Sequence, residues 1–242
     1  MHSIITNAQI GVLSDSHIMG EYENISNKAK PAKGVLVTKN QTRDKLSNYV
    51  VDFSGESKQY CVGFVDIENS TQIVASLNQE KMSKYYEIFL NSMANIVERF
   101  DGFVIKNIGD SLLYYFPESS KSSTKNGFLS CIESSLTMID SHALINTKVK
   151  NEDLPSLNYR VSADYGKVTI IKSDNFFVND IVGVPVNICS KINGSASKNG
   201  VVIGSDLYQI VKGFDDYHYN QIEAYSVGLK QSYPIYSVQR KK

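Results

Sequence analysis

The chain has 242 residues, 42% of them hydrophobic, which fits one domain of moderate size with an extension, or two small domains. Its 25 Lys and Arg balance 25 Asp and Glu to a formal net charge of zero, so the basic excess of a broad nucleic-acid footprint is missing. No apolar run approaches the roughly 18 residues of a membrane span, and no charged-then-apolar signal pattern opens the chain; the expectation is a soluble, cytoplasmic protein with neither nucleic acid nor membrane as partner.

Residues 1–58 are rich in Asn, Ser and Lys and are expected to form an N-terminal extension or linker of unknown role. Within them "IITNAQIGVL" (4–13) suits a short helix, "NKAKPAKG" (27–34) a linker and "GVLVT" (34–38) a strand. Residues 59–242 form the domain proper. "YCVGFVD" (60–66) is an apolar run of strand length. Ser70 and Thr71 then offer a helix cap. Over 78–100, Met82, Tyr86, Phe89, Met93, Ile96 and Phe100 recur at spacings of three and four, the stripe of an amphipathic helix that packs on a core. Gly102 suits a left-handed stop.

"FVIKN" and "LLYYF" make a hairpin around "IGDS", and a helix is predicted over roughly 125–145 from Phe128, Cys131, Ile132, Leu136 and Ile139. "YRVSADYG" and "KVTIIK" read as two strands broken at Gly166. "PVNICSKINGSA" (185–196) reads as a short helix, "GVVIG" as a strand, "SDLYQIVKGF" as a helix and "PIYSV" (234–238) as a last strand. The order β-α-β-β-α-β predicts a mixed α/β sandwich, its antiparallel sheet covered by helices on one side. Cys61, Cys131 and Cys189 form no CxxC pair and read as buried thiols, the four histidines lack metal-ligand spacing, and the tail "RKK" (240–242) reads as a solvated end.

Two carboxylates carry the chemical argument. Asp66 ends the first apolar strand and Asp110 sits at the hairpin tip. Sequential elements tend to be neighbours, and adjacent strand ends would put these acids about 5 Å apart. Like charges at that distance repel, and a hard divalent cation between them, Mg²⁺ or Mn²⁺, relieves the repulsion. Two such ions roughly 3.5–4 Å apart suit in-line phosphoryl chemistry. The spacing alone leaves a second reading open, in which "IGDS" is a plain turn and Asp66 a helix cap. "ENST" after Asp66 leads into a helix, so the amides of Asn69, Ser70 and Thr71 could hold phosphate oxygens; read as structure only, they cap the helix.

In order, "FVDIENST", "GFVIKNIGDSLLYYF", "YRVSADYGKV", "NDIVGVPVNICSKI" and "GVVIGSDLY" resemble the class III nucleotidyl cyclases, the adenylate and guanylate cyclase catalytic domain, over about residues 58–238. The resemblance implies a ferredoxin-like α/β fold with a mostly antiparallel sheet, and homodimers with active sites at the interface. It implies metal ligation by Asp66, the Ile67 carbonyl and Asp110, with two Mg²⁺ or Mn²⁺ ions per site. It implies base reading by Lys106 and Asp180, ribose placement by Asn187, and transition-state support by Lys191, where the family usually has arginine. Asp164 stands where histidine is frequent. A donor at Lys106 and an acceptor at Asp180 match the N1 and N6 edge of adenine, so the expected reaction is ATP to 3′,5′-cyclic AMP and pyrophosphate. Guanine presents the reverse edge, and each buried mismatch costs about 1–3 kcal/mol. Cytosine presents the adenine-like edge, so CTP stays open, and the alternatives are a cyclase using another triphosphate, CTP or GTP, or a silent nucleotide-binding and dimerisation module.

Overall fold

In the computed structural model, which describes residues 52–120, 125–172, 180–222 and 233–241, "YCVGFVD" is part of a long strand, β1 (Asp52–Ile67). That strand begins well before residue 59, and the helix, linker and strand expected at 4–13, 27–34 and 34–38 lie outside the described residues. The chain continues through α1 (Ser70–Val74), α2 (Gln79–Arg99), β2 (Phe103–Ile108), β3 (Ser111–Phe116), α3 (Asn126–Asp140), α4 (His142–Asn151) and β4 (Tyr159–Lys172). Then come β5 (Asp180–Gly183), α5 (Val184–Ile192), β6 (Val201–Gly204), α6 (Ser205–Val211), β7 (Tyr217–Gln221) and β8 (Ile235–Arg240).

The strands form one sheet in the order β2-β3-β1-β4-β6-β8-β7, with β5 beside β4. β4 and β6 run parallel and the other pairs antiparallel. The segment β1-α2-β2-β3-α3-β4, with sheet order 2-3-1-4, is the ferredoxin-like core. Both faces of β1 are buried. Cys61, Val65 and Ile67 join Tyr85, Phe89 and Met93 of α2 and Phe128, Cys131 and Ile132 of α3. Tyr60, Val62 and Phe64 join Ile105, Leu113, Val168, Ile181 and Cys189 of α5 on the opposite face. The period of two along a strand produces this division, and burial on both sides explains why the segment is apolar without alternation. A fully buried Leu, Phe or Met contributes roughly 1.5–3 kcal/mol over exposure. No helix among the described residues is long and apolar enough to cross a membrane.

Several local expectations change. Helices cover both faces of the sheet, because α5 packs opposite α2 and α3. The predicted helix over 125–145 is two helices, α3 and α4, meeting at Ser141. The break expected at Gly166 is absent: β4 is continuous, since β1 pairs with it through Tyr60↔Gly166. The buried stripe of α2 is Tyr85, Phe89, Met93 and Ile96, with Met82, Tyr86 and Phe100 at its half-buried margins. The left-handed residue after α2 is Asp101 (φ 58°), not Gly102. Asp101 N–H bonds to Glu98 O at 3.1 Å and Gly102 N–H to Val97 O at 3.0 Å, the Schellman pattern that satisfies the last carbonyls. β7 had no counterpart in the sequence reading. Arg240, the first residue of the basic tail, is anchored: it pairs with Glu133 at 2.8 Å and also with Asp140, fastening β8 to α3. Cys61, Cys131 and Cys189 are free and buried.

Asp164 has a structural task. It is fully buried, accepts from Leu207 N–H at 3.2 Å and from the Tyr233 hydroxyl at 2.9 Å, and packs where Gly204 carries no side chain. It thereby satisfies an orphan donor in the first turn of α6. Burial pushes its pKa from 3.8 up to about 7, against the pull of those hydrogen bonds. Between those values the folded state keeps a proton that the unfolded state has lost, so this group's contribution to stability falls as pH rises from about 4 to about 7. Asp164→Asn mimics the protonated acid. Thermal melts across that range should fall less steeply for the variant than for the wild type; parallel curves would refute the assignment.

Candidate active site

The alternation that buries Tyr60, Val62 and Phe64 beneath α5 puts Asp66 on the same face, at the end of β1 where the core runs out. β3 flanks it on one side and β4 on the other. Val65 opposite Leu112 brings Ser111 level with Asp66, and Arg160 is the direct partner of Asp66 on β4. The Ser111 hydroxyl donates to Asp66 Oδ1 at 2.5 Å. Arg160 is drawn aside by an ion pair with Glu68. The turn between β2 and β3 holds Asp110, preceded by Gly109 at φ 63°. The Asp110 carboxyl comes within hydrogen-bonding reach of Asp66. Burial raises the Asp66 pKa, the Ser111 hydrogen bond lowers it, and the Asp110 charge raises it again.

Asp66 and Asp110 therefore come together. Their oxygen-only donor set fits Mg²⁺ or Mn²⁺. Among the described residues there is no group of three or more His, Cys, Asp or Glu that could hold a metal. The pair is thus a partial ligand set, of the kind that substrate phosphates complete. Tyr85, buried on α2 with an unpartnered hydroxyl, lies within range of the Asp110 charge; burial first, then Tyr86 and Asp110, push its pKa up to about 12. Ile67 turns its side chain into the core, which leaves only its carbonyl for a ligand.

The next segment corrects the capping expectation. Asn69, in the left-handed conformation (φ 58°, ψ 28°), is the N-cap of α1, and no side chain caps that helix. α1 is five residues long, so its macrodipole is small. Any anion there would rest on individual N–H groups that successive left- and right-handed residues turn to one side.

A second group forms on the same face. Lys106 of β2 and Asp180 of β5 are ion-paired, with side chains 44% and 34% exposed. At such exposure the pair is worth about 0–1 kcal/mol, so it opens readily for a ligand. Asp180 Oδ1 accepts from Ile181 N–H at 2.8 Å, which leaves Oδ2 facing Lys106. β2 and β5 meet because the sheet curls around the core shared by Ile105, Leu113 and Ile181. Asn187 and Lys191 are exposed one turn apart on α5. Asn193, just past α5, donates to Arg160 O at 3.0 Å and Ser162 Oγ at 3.3 Å, tying the helix end to β4. Sequence reasoning missed Ser111 and Arg160; "GDS" shows the serine, but only the register of β1 with β3 and β4 sets both residues beside Asp66.

Residues 54–240 match the family model described as the adenylate and guanylate cyclase catalytic domain. The chain belongs to this family. Two curated relatives are a cytidylate cyclase of Staphylococcus aureus, 22% identical over 65% of this chain and 38% of the relative, and an adenylate cyclase of Streptomyces coelicolor, 24% identical over 60% of this chain and 32% of the relative. The chain thus spans about a third of the length of these relatives. Among solved structures, the adenylyl cyclase CyaB of P. aeruginosa superposes with a TM-score of 0.69 at 20% identity, over 77% of this chain and 96% of that one. The fold is that of a class III cyclase domain, and the substrate differs among the relatives.

The cyclase turn at Gly109 is testable by itself. A Cβ there meets nothing within 4 Å, so Gly109→Ala reports backbone strain alone. We expect a loss of about 1 kcal/mol, seen as a melting point lower by roughly 2–4 °C. An unchanged melting point would mean that the left-handed turn is not held.

Proposed function

We propose that this cyclase domain converts ATP to 3′,5′-cyclic AMP and pyrophosphate, in the cytoplasm, at sites shared between two copies of the chain. The observation that carries the reading is the convergence of Asp66 and Asp110 on the face that also holds the Lys106–Asp180 pair. When bound, Mg²⁺ or Mn²⁺ ions supply the positive charge that makes a ribose 3′-hydroxyl acidic and neutralises triphosphate oxygens.

The residues divide the remaining work. Asp66, Asp110 and the Ile67 carbonyl hold the cations. The N–H groups of Asn69, Ser70 and Thr71 take β- and γ-phosphate oxygens, and Arg160, beside Asp66 on β4, adds positive charge. Asn187 orients the ribose, and Lys191 steadies charge on the reacting phosphate as a point charge without the planar fork of arginine. The new 3′-O–P bond forms as the bond from the α-phosphorus to pyrophosphate breaks and the 3′-hydroxyl proton passes to water, and catalysis is positioning plus charge stabilisation. Lys106 donates to N1 of the base and Asp180 accepts from its 6-amine.

Lys106 lies within β2 and Asp110 in the turn beyond its end, and the Lys106 side chain is engaged by Asp180 of β5. Base and phosphates of one nucleotide are therefore assigned to different copies: Asp66 and Asp110 from one, Lys106, Asp180, Asn187 and Lys191 from its partner. Phe103, Ile108, Val182 and Val184, 40–62% exposed on the elements around Lys106 and Asp180, give a second copy an apolar footing. A two-fold dimer then holds two complete sites.

CTP is the second reading, favoured by the cytidylate cyclase among the relatives and by the edge that cytosine shares with adenine. Protein incubated with Mn²⁺ and each of the four nucleoside triphosphates should yield cyclic AMP from ATP. Cyclic CMP alone would shift the assignment to CTP, and no cyclic product from any of them would leave a silent nucleotide-binding module. Asp66→Asn or Asp110→Asn should abolish turnover without lowering the melting point. Mixing inactive Asp110→Asn with inactive Asn187→Ala should restore part of the activity through mixed dimers; no rescue after demonstrated subunit exchange would refute the shared site.

A further inference from the structure

We propose that Ser111 is the positioning residue that presents the Asp66 carboxylate to a divalent cation, an inference that rests on the two-carboxylate reading of the site. Asp66 stands between two groups that can bond it. Ser111 faces it from β3 and Arg160 from β4. A guanidinium beside a carboxylate tends to capture it in a bidentate pair, which would fold Asp66 away from Asp110 and close the site. Two features prevent that. Glu68 engages Arg160, and the Ser111 hydroxyl holds Asp66 Oδ1 on the β3 side at 2.5 Å.

Ser111 is well placed to do this. It is only 6% exposed, so its hydroxyl has little competing water. Consecutive residues of a regular strand point to opposite faces, yet Asp110 and Ser111 both reach Asp66. They can do so because Asp110 belongs to the turn, where Gly109 reverses the backbone, and β3 begins only at Ser111. One oxygen of Asp66 is thereby occupied and the other, Oδ2, is left for a cation. Groups that hold a metal ligand in place typically contribute about 10–100-fold to metal affinity.

The test is Mn²⁺ titrated alone into the full chain, with free ion followed by its electron paramagnetic resonance signal, for wild type, Ser111→Ala, Ser111→Thr and Asp66→Asn. Ser111→Ala removes one oxygen from a buried site and should melt in EDTA as the wild type does. We expect its Mn²⁺ dissociation constant to rise about tenfold, Ser111→Thr, which keeps the hydroxyl, to stay near wild type, and Asp66→Asn to lose binding. Wild-type affinity in Ser111→Ala, with loss in Asp66→Asn, would overturn the role of Ser111 and leave the carboxylate site standing. Equal losses in the Ala and Thr variants would also overturn it, because the hydroxyl would then not be the cause. Wild-type affinity in Asp66→Asn would overturn the carboxylate reading itself, and this inference with it.

Discussion

Strand β1 has core packed on both faces, Cys61, Val65 and Ile67 beneath α2 and α3, and Tyr60, Val62 and Phe64 beneath α5. That double burial governs where a charge can sit. An ionised carboxylate in the middle of such a strand would cost several kcal/mol. At Asp66 the core ends, and the group is buried enough to feel Asp110 yet open enough to take a ligand. The neighbouring strands follow from the same constraint: β3 brings Ser111 and Asp110 to one side of Asp66, and β4 brings Arg160 to the other. The candidate cation site is thus a boundary of the hydrophobic core, built where three strands run out together.

The second cluster obeys different physics. Lys106 and Asp180 lie on strands far apart in sheet order, and they meet because the sheet curls around the small core that Ile105, Leu113 and Ile181 share. Their ion pair adds little stability, because both side chains are partly exposed to solvent. Asp66 and Asp110, by contrast, are held together against their own repulsion, with Ser111 and the backbone of the turn fixing them. One cluster is held by a short hydrogen bond beside a turn, the other by a partly exposed ion pair.

Much of this was legible in the sequence because it is local. The run at Tyr60, the stripe on α2 and the hairpin around Gly109 announce themselves by period and turn chemistry. The two acids could be placed together because consecutive strands tend to pair. The ordered motifs carried the family. Non-local features were harder to read. Nothing in "YRVSADYG" states that Arg160 lies opposite Asp66, since that depends on the register of two strands almost a hundred residues apart in the chain. Gly166 looks like a break and is not one, because the ladder with β1 overrides local propensity. β7, a polar edge strand with a single buried residue, Tyr217, gives no alternating signal. Asp164 could be taken for drift only while its partners, the amide of Leu207 and the hydroxyl of Tyr233, were unknown.

The Arg240 fork has a practical side. By gripping Glu133 and Asp140, it pins the end of β8 to the α3 surface, across the sheet from Asp66. Trimming the chain at Arg240 would therefore cost the tie between the last strand and a helix about a hundred residues earlier.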